Sequence, residues 1–227
     1  MKTYLDLFLN EYESVNTRRS YNATINVMLD TIGKDVNDIC KIDLVEYKNT
    51  LKNLGASTQA QKIVCIKSYF KFLFDNDVID SNPAEKLSAP RVEHKPKEAL
   101  STDEAIMLMS YGNKRERAII AVFLNTGIRV QELIDMRLND FLDNPSEMIL
   151  RTKRGKYRKI YLNDDTIALI NEYLKVRKEG CDNLFVSNHG TPLSENVLNN
   201  TWKKLASKSH IDKHITNHSF RSTYVTT

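Results

Sequence analysis

The sequence predicts a mainly α protein: a small N-terminal bundle of four helices, then an α-rich domain holding one small antiparallel sheet. Three observations predict it. Apolar residues recur at three- and four-residue spacing through the first third of the chain. That period lapses near Ser81 and is followed by a stretch with Pro90, Pro96 and several cations. The period then changes after Met136, and Glu147 to Thr152 and Tyr157 to Leu162 read as strands on either side of Lys153-Arg154-Gly155-Lys156. The 227 residues suffice for two modest domains or one large one.

The elements follow in order. Tyr4, Phe8 and Tyr12, flanked by Leu5 and Leu9, make the first helical stripe. Thr17 is placed as the cap of a second helix, with Tyr21, Ile25, Met28 and Ile32 inward and Gly33 at its end. Asp43 and Glu46 resemble a capping box over a third helix, with Leu44, Tyr47, Leu51 and Leu54 as its stripe. Ser57 opens a fourth, with Ile63, Ile66, Phe70 and Leu73 inward, and Asn82-Pro83 stops it. Short connections between four helices suggest a bundle over residues 1–88. Residues 89–100 read as an extended basic linker that includes Lys95, and a second domain occupies 101–227.

That second domain opens on a capping box, Ser101 with Glu104, over a helix to about Tyr111. Another helix runs from about Lys114 to Asn125. The apolar run Ile119–Leu124 leads into Thr126-Gly127, and a short helix places Val130, Leu133 and Ile134 at core spacing. Arg129 and Glu132 are expected on the opposite side of that helix. Strands over 147–152 and 157–162 form a hairpin, followed by a helix from Asp165 to Arg177. Leu184-Phe185-Val186 is a short apolar piece, and Ser194 caps a helix with Leu198, Trp202 and Leu205 inward. His218 and Arg221 lie three apart at a helix start, so both point to one side.

Composition narrows the class. Hydrophobic content of 41% and charged content of 27% are ordinary for a globular protein. Cys40, Cys65 and Cys181 are odd in number and widely spaced, which favours free thiols in a reducing compartment. The N-terminus has no signal-peptide pattern, and no apolar run approaches the ~20 residues that span a bilayer. A cytoplasmic protein with no membrane partner is expected. The net charge of +4 permits a nucleic-acid partner without demanding one. On the N-terminal helices, Arg18, Arg19, Lys48, Lys52, Lys62, Lys67 and Lys71 are each ordinary solvated charges, yet together could line a phosphate-binding face.

Three features of the second domain combine. Glu132 behind Arg129 would fix that guanidinium and leave its other donors free for an oxyanion. An arbitrary Arg-x-x-Glu is usually only a surface ion pair. Here the pair keeps company with a hairpin in which six of the nine residues from Arg151 to Lys159 are basic, and with His218-x-x-Arg221. Two guanidiniums, an imidazole and an ammonium suit the non-bridging oxygens of a phosphodiester as it becomes a pentacoordinate phosphorane. The sequence has no acidic cluster for a metal and no Cys/His set with zinc spacing, so no metal or other cofactor is expected.

Thr126-Gly127-Ile128-Arg129-Val130-Gln131-Glu132-Leu133 resembles the first motif of the tyrosine recombinases, the phage-integrase and Xer-type family. Thr152 through Lys153, Gly155 and Arg158 to Leu162 resembles that family's β-hairpin. Thr216-Asn217-His218-Ser219-Phe220-Arg221-Ser222-Thr223 resembles its His-x-x-Arg motif. Asn188-His189-Gly190-Thr191-Pro192-Leu193-Ser194 is similar to the family's link into a catalytic-domain helix. Each motif is weak alone; the ordered set is specific and covers essentially the whole chain.

The resemblance implies a SAM-like core-site DNA-binding domain at the N-terminus and a catalytic domain after it, clamping duplex DNA between them. It implies that Arg129 and Arg221 clamp the scissile phosphate and that Lys153 is the general acid for the leaving 5′ oxygen, with Lys156 and Arg154 as its rivals. His218 would assist in proton transfer, and Glu132 would orient Arg129. Arg18, Arg19, Lys62, Lys67, Lys95, Arg154 and Lys156 are the further expected DNA contacts. The implied reaction is site-specific strand exchange through a 3′-phosphotyrosyl intermediate, between paired double-stranded sites held by a homotetramer, with a monomer free in solution.

The sequence departs from the family after Arg221, where a further His or Trp and the nucleophilic tyrosine are expected. Tyr224 stands where relatives carry a core residue and reads as packing. The expectation is therefore a catalytic domain incomplete at its C-terminus, unable to form the covalent link. The alternatives are a DNA-binding remnant or regulator that occupies sites without cutting, and a helical protein-interaction module, for which the hairpin and the two arginines would be coincidental.

Overall fold

The computed structural model describes residues 2–93, 99–152 and 155–226, and divides the chain into two compact units, residues 1–95 and 96–227. Unit 1 is built from α1 (Lys2–Asn10), α2 (Val15–Ile32), α3 (Lys41–Thr50) and α4 (Ala56–Asp75). Their apolar stripes meet in one core that includes Phe8, Ile25, Met28, Leu44, Tyr47, Ile63, Ile66 and Phe70. Phe8 sits at its centre, edge-on to Tyr12 and Tyr69 and stacked on Tyr21.

Helix starts differ from the sequence reading by up to three residues. Ser14, not Thr17, caps α2: its hydroxyl accepts from the Thr17 N–H at 3.4 Å. Asp43 does not start α3 but folds back to accept the Cys40 N–H at 2.9 Å, and the expected partner Glu46 takes no part in that cap. α4 begins at Ala56, one residue before Ser57, and ends at Asp75, well before Asn82-Pro83. The turns and bends that follow carry Ile79, Ala84 and Leu87 back into the core. The α2 end is as expected, with Gly33 in the left-handed region at φ 67°.

Unit 2 contains α5 (Thr102–Tyr111), α6 (Lys114–Thr126), α7 (Val130–Ile134), α8 (Leu138–Asp143), β1 (Glu147–Arg151), β2 (Tyr157–Tyr161), α9 (Asp164–Leu174), α10 (Glu195–Lys208) and α11 (Asn217–Thr226). The expected capping box is present on α5, where Ser101 Oγ accepts the Glu104 N–H at 3.1 Å and Glu104 Oε2 accepts the Ser101 N–H at 2.7 Å. α6 is buried at every position from Ala118 to Phe123, as befits a helix packed on by α5, α9 and α11. α8 has no counterpart in the sequence reading. α9 is capped by Asn163 and stops at Leu174, three residues short of Arg177. Arg177 instead hydrogen-bonds the carbonyls of Cys181, Asn183 and Leu184, fixing the loop that buries Leu184 and Phe185.

The two strands pair antiparallel, with Glu147 opposite Tyr161, Met148 opposite Ile160, Ile149 opposite Lys159, Leu150 opposite Arg158 and Arg151 opposite Tyr157. Alternation gives Met148, Leu150 and Ile160 to the core. Glu147, Ile149, Tyr157 and Tyr161 lie on the other face. Among the described residues no helix is long and apolar enough to cross a membrane.

Candidate active site

Gly127 is where the site begins. It ends α6 in the left-handed conformation at φ 56°, its N–H bonded to the Phe123 carbonyl at 2.9 Å. The turn delivers Ile128 into the core and leaves Arg129 extended, just before α7. The Arg129 side chain is 53% exposed.

Glu132 corrects the sequence reading. It does not share an exposed side with Arg129: its side chain is only 2% exposed. Oε2 accepts the Arg129 backbone N–H at 2.8 Å, and Oε1 accepts from Arg129 Nη1 at 3.0 Å. A third donor is Arg158 Nη2, 2.7 Å from Oε2. Burial alone pushes this carboxyl up, but the bonds from Arg129 and Arg158 outweigh it and hold the group below its ordinary range. One buried carboxylate thus joins the start of α7 to the middle of β2.

The third element of the site is α11. Its first residue, Asn217, is buried: Oδ1 accepts from Trp202 Nε1 at 2.6 Å, and Nδ2 donates to Asn199 Oδ1 at 2.9 Å. Phe220 is fully buried, stacked on Phe123 of α6 and edge-on to Trp202 of α10. These contacts fix the rotation of α11. They leave His218 exposed and Arg221 half-buried, with Arg221 Nη1 donating to the Gly127 carbonyl. The ring of Tyr224 lies against Gly127 and is 46% exposed.

The structure therefore brings Arg129, Glu132 and Arg221 to one loop, Gly127–Glu132, with His218 one turn before Arg221 on the same helix. Lys153 and Arg154, and Lys95, lie outside the described residues. The loop that carries the first two is closed by Thr152 N–H to the Lys156 carbonyl at 2.6 Å and Gly155 N–H to the Thr152 carbonyl at 2.9 Å, with Lys156 itself exposed. Arg18, Arg19, Lys62 and Lys67 belong to unit 1. Arg18 and Arg19 line an open cleft of about 660 Å³ with Asp6, Asn10 and Asn22. Lys67 is committed to the fold, donating to the carbonyls of Glu85 at 2.9 Å and Leu87 at 3.2 Å.

Two contributors escaped the sequence reading. Arg158 entered only as part of a hairpin motif, although a charged residue at a core-facing register position was a usable signal. Asn217 had no signal, because its partners Trp202 and Asn199 lie on another helix.

Profiles of known families bear on this arrangement. The phage integrase family matches residues 98–227, and the SAM-like N-terminal domain of phage integrases matches residues 1–77. The chain belongs to the phage integrase family of tyrosine recombinases. Among its relatives, the tyrosine recombinase XerC of Leptospira interrogans is 24% identical over 230 residues, covering 94% of this chain and 74% of that protein. The crystal structure of XerA recombinase is 27% identical, with a TM-score of 0.54 over 99% of this chain and 83% of its own. A λ integrase dimer bound to a COC′ core site shares the fold at a TM-score of 0.81 and 17% identity, covering 100% of this chain and 88% of that one. The family thus matches both the helical N-terminal domain and the catalytic domain with its two-stranded sheet.

Proposed function

We propose that this chain carries the phosphate-holding centre of a site-specific recombinase acting on double-stranded DNA. Arg129 and Arg221 hold the scissile phosphate, Lys153 protonates the leaving 5′ oxygen, and His218 assists in proton transfer and phosphate contact. Glu132 orients Arg129. In the complete reaction a tyrosine oxygen attacks phosphorus, the 5′ oxygen leaves with a proton, and a partner strand's 5′ hydroxyl later reverses the step. The number of phosphodiester bonds does not change.

One observation carries this reading. Arg221 donates to the carbonyl of Gly127, two residues before Arg129, so guanidiniums from distant parts of the chain border one loop. Glu132, bonded to Arg129 and Arg158, is the buried carboxylate at that loop among the described residues, so the locality stays cationic and suits the charge that grows on a phosphorane. Paired recombination sites, a homotetramer on DNA, a free monomer and a cytoplasmic location complete the proposal. Both units contact the duplex in it, with Arg18, Arg19, Lys62, Lys95, Arg154 and Lys156 meeting backbone phosphates, while Lys67 stays with the carbonyls of Glu85 and Leu87.

The test uses a nicked duplex site that traps covalent intermediates. In a chain carrying a tyrosine at family spacing after Arg221, Arg129→Ala should lower cleavage by about 10²–10³-fold or more while site binding stays measurable. Unchanged cleavage removes Arg129 from the centre.

A second reading is a regulator that occupies sites without cutting; Tyr224, expected as a core residue, lies against Gly127 but keeps 46% of its surface exposed. Residues 1–227 by themselves should then give no covalent complex. Detection of a phosphotyrosine at Tyr224 would overturn its assignment as a packing residue.

A further inference from the structure

Arg158 stands on the wrong face of its strand for a charged residue. Its register partner is Leu150, and the neighbours on that face, Met148, Leu150 and Ile160, are 1%, 4% and 5% exposed. The Arg158 side chain keeps 35% of its surface exposed, so its guanidinium loses part of its hydration there and needs a partner for the part it loses. That partner is Glu132, whose Oε2 lies 2.7 Å from Arg158 Nη2. Arg158 Nε is nonetheless buried with no acceptor among the described residues. A methionine or leucine would fill the same face without leaving a buried N–H unmet, so packing alone does not account for an arginine.

The contact has a second end. Glu132 Oε2 also accepts the Arg129 N–H, and Oε1 accepts from Arg129 Nη1. Three donors from two arginines therefore fix both oxygens of one carboxylate. With Arg158 removed, Oε2 keeps only a backbone donor, and the carboxylate gains freedom to turn and take the Arg129 fork with it. β2 also borders the loop over 152–156, in which Lys153 falls.

Resting on the reading that Arg129 holds the scissile phosphate, we propose that Arg158 is a positioning residue for the reaction. Through the carboxylate it shares with Arg129, it sets the direction in which Arg129 presents its remaining donors, and it ties the hairpin to that direction. Arg158 does not itself contact the reacting atoms in this proposal.

The 227-residue protein tests this with sulfate as the probe, titrated at low ionic strength and followed by calorimetry. Arg129→Ala and Arg221→Ala examine the underlying reading, and each should lose most sulfate binding. Arg158→Met should weaken it by about tenfold, as expected for losing one charge-assisted bond, and is titrated at a temperature where both proteins are folded because it also lowers the unfolding temperature. Arg158→Lys keeps the charge but not the fork, and should fall between.

Glu132→Gln separates positioning from simple charge. Removing a negative charge would tighten anion binding if only the local field mattered; positioning requires it to weaken. The double change Arg158→Met with Glu132→Gln should be no worse than Glu132→Gln alone, because Arg158 acts through Glu132. Tighter binding by Glu132→Gln, or two losses that simply add, overturns the proposal. Should Arg158→Met not fold, Arg158→Lys decides, and parent-like affinity there overturns it equally. If Arg129→Ala binds sulfate like the parent, the underlying reading has failed; if only the Arg158 variants are silent, this inference alone falls.

Discussion

At the scale of single residues, Gly127 carries more constraint than any charged group near it. Its φ of 56° disfavours a side chain, and a Cβ there would lie 2.2 Å from Cδ1 of Tyr224. Gly127→Ala should destabilise unit 2 by about 2 kcal/mol or more, read by denaturant unfolding, and combining it with Tyr224→Ala should recover part of that loss. Equal stability of Gly127→Ala and the parent would mean that the turn is not as described. Glu132 contributes with a definite sign: its carboxyl is held low, so its stabilisation is present above the ordinary carboxylate range and fades as pH falls through the lowered value. Sequence made Gly127 and Arg129 legible, because a turn signal and a family motif coincide there. It hid the burial of Glu132, because Arg158, twenty-six residues away, supplies the charge that makes burial tolerable.

At the scale of elements, helix existence was readable and helix starts were not. Ser14, Asn16 and Thr17 are all cap-formers within four residues, and local sequence offers no reason to prefer one. The fold chose Ser14, which lengthens α2 by one turn. The same ambiguity moved the start of α3 from Asp43 to Lys41, because Asp43 serves the turn from inside. The bond from Lys34 at 2.7 Å, then those from Cys40, hold the Asp43 carboxyl down at about 2. Its contribution to unit 1 is thus complete above about pH 4 and lost as pH falls toward about 2. Asp43→Asn should lower the unfolding temperature of unit 1 at neutral pH and flatten its acid dependence over that window. An acid profile identical to the parent's would remove the Lys34–Asp43 contact from the account. The hairpin was legible to within a residue, since two short strand-like runs and the Gly-containing basic turn between them are local signals. α8 was missed because six residues are too few to show a helical period.

At the scale of the whole molecule, charge is the quantity that acts at a distance. The excess of Lys and Arg over Asp and Glu is only four, so affinity for DNA must come from where cations sit rather than from their sum. If both units grip backbone phosphates, log affinity should fall with log salt by about 0.9 per phosphate neutralised, a loss of roughly 10³–10⁵ between 50 and 200 mM salt for six to ten contacts. A flat salt dependence of duplex binding would rule out phosphate-led recognition. The protein's one tryptophan adds a practical consequence. Trp202 is fully buried, hydrogen-bonded to Asn217 and edge-on to Phe220, so it touches the helix that bears His218 and Arg221 at two points. Its ultraviolet emission is thus a built-in optical gauge: any loosening of that helix admits water to the indole and reddens the spectrum, with no label attached.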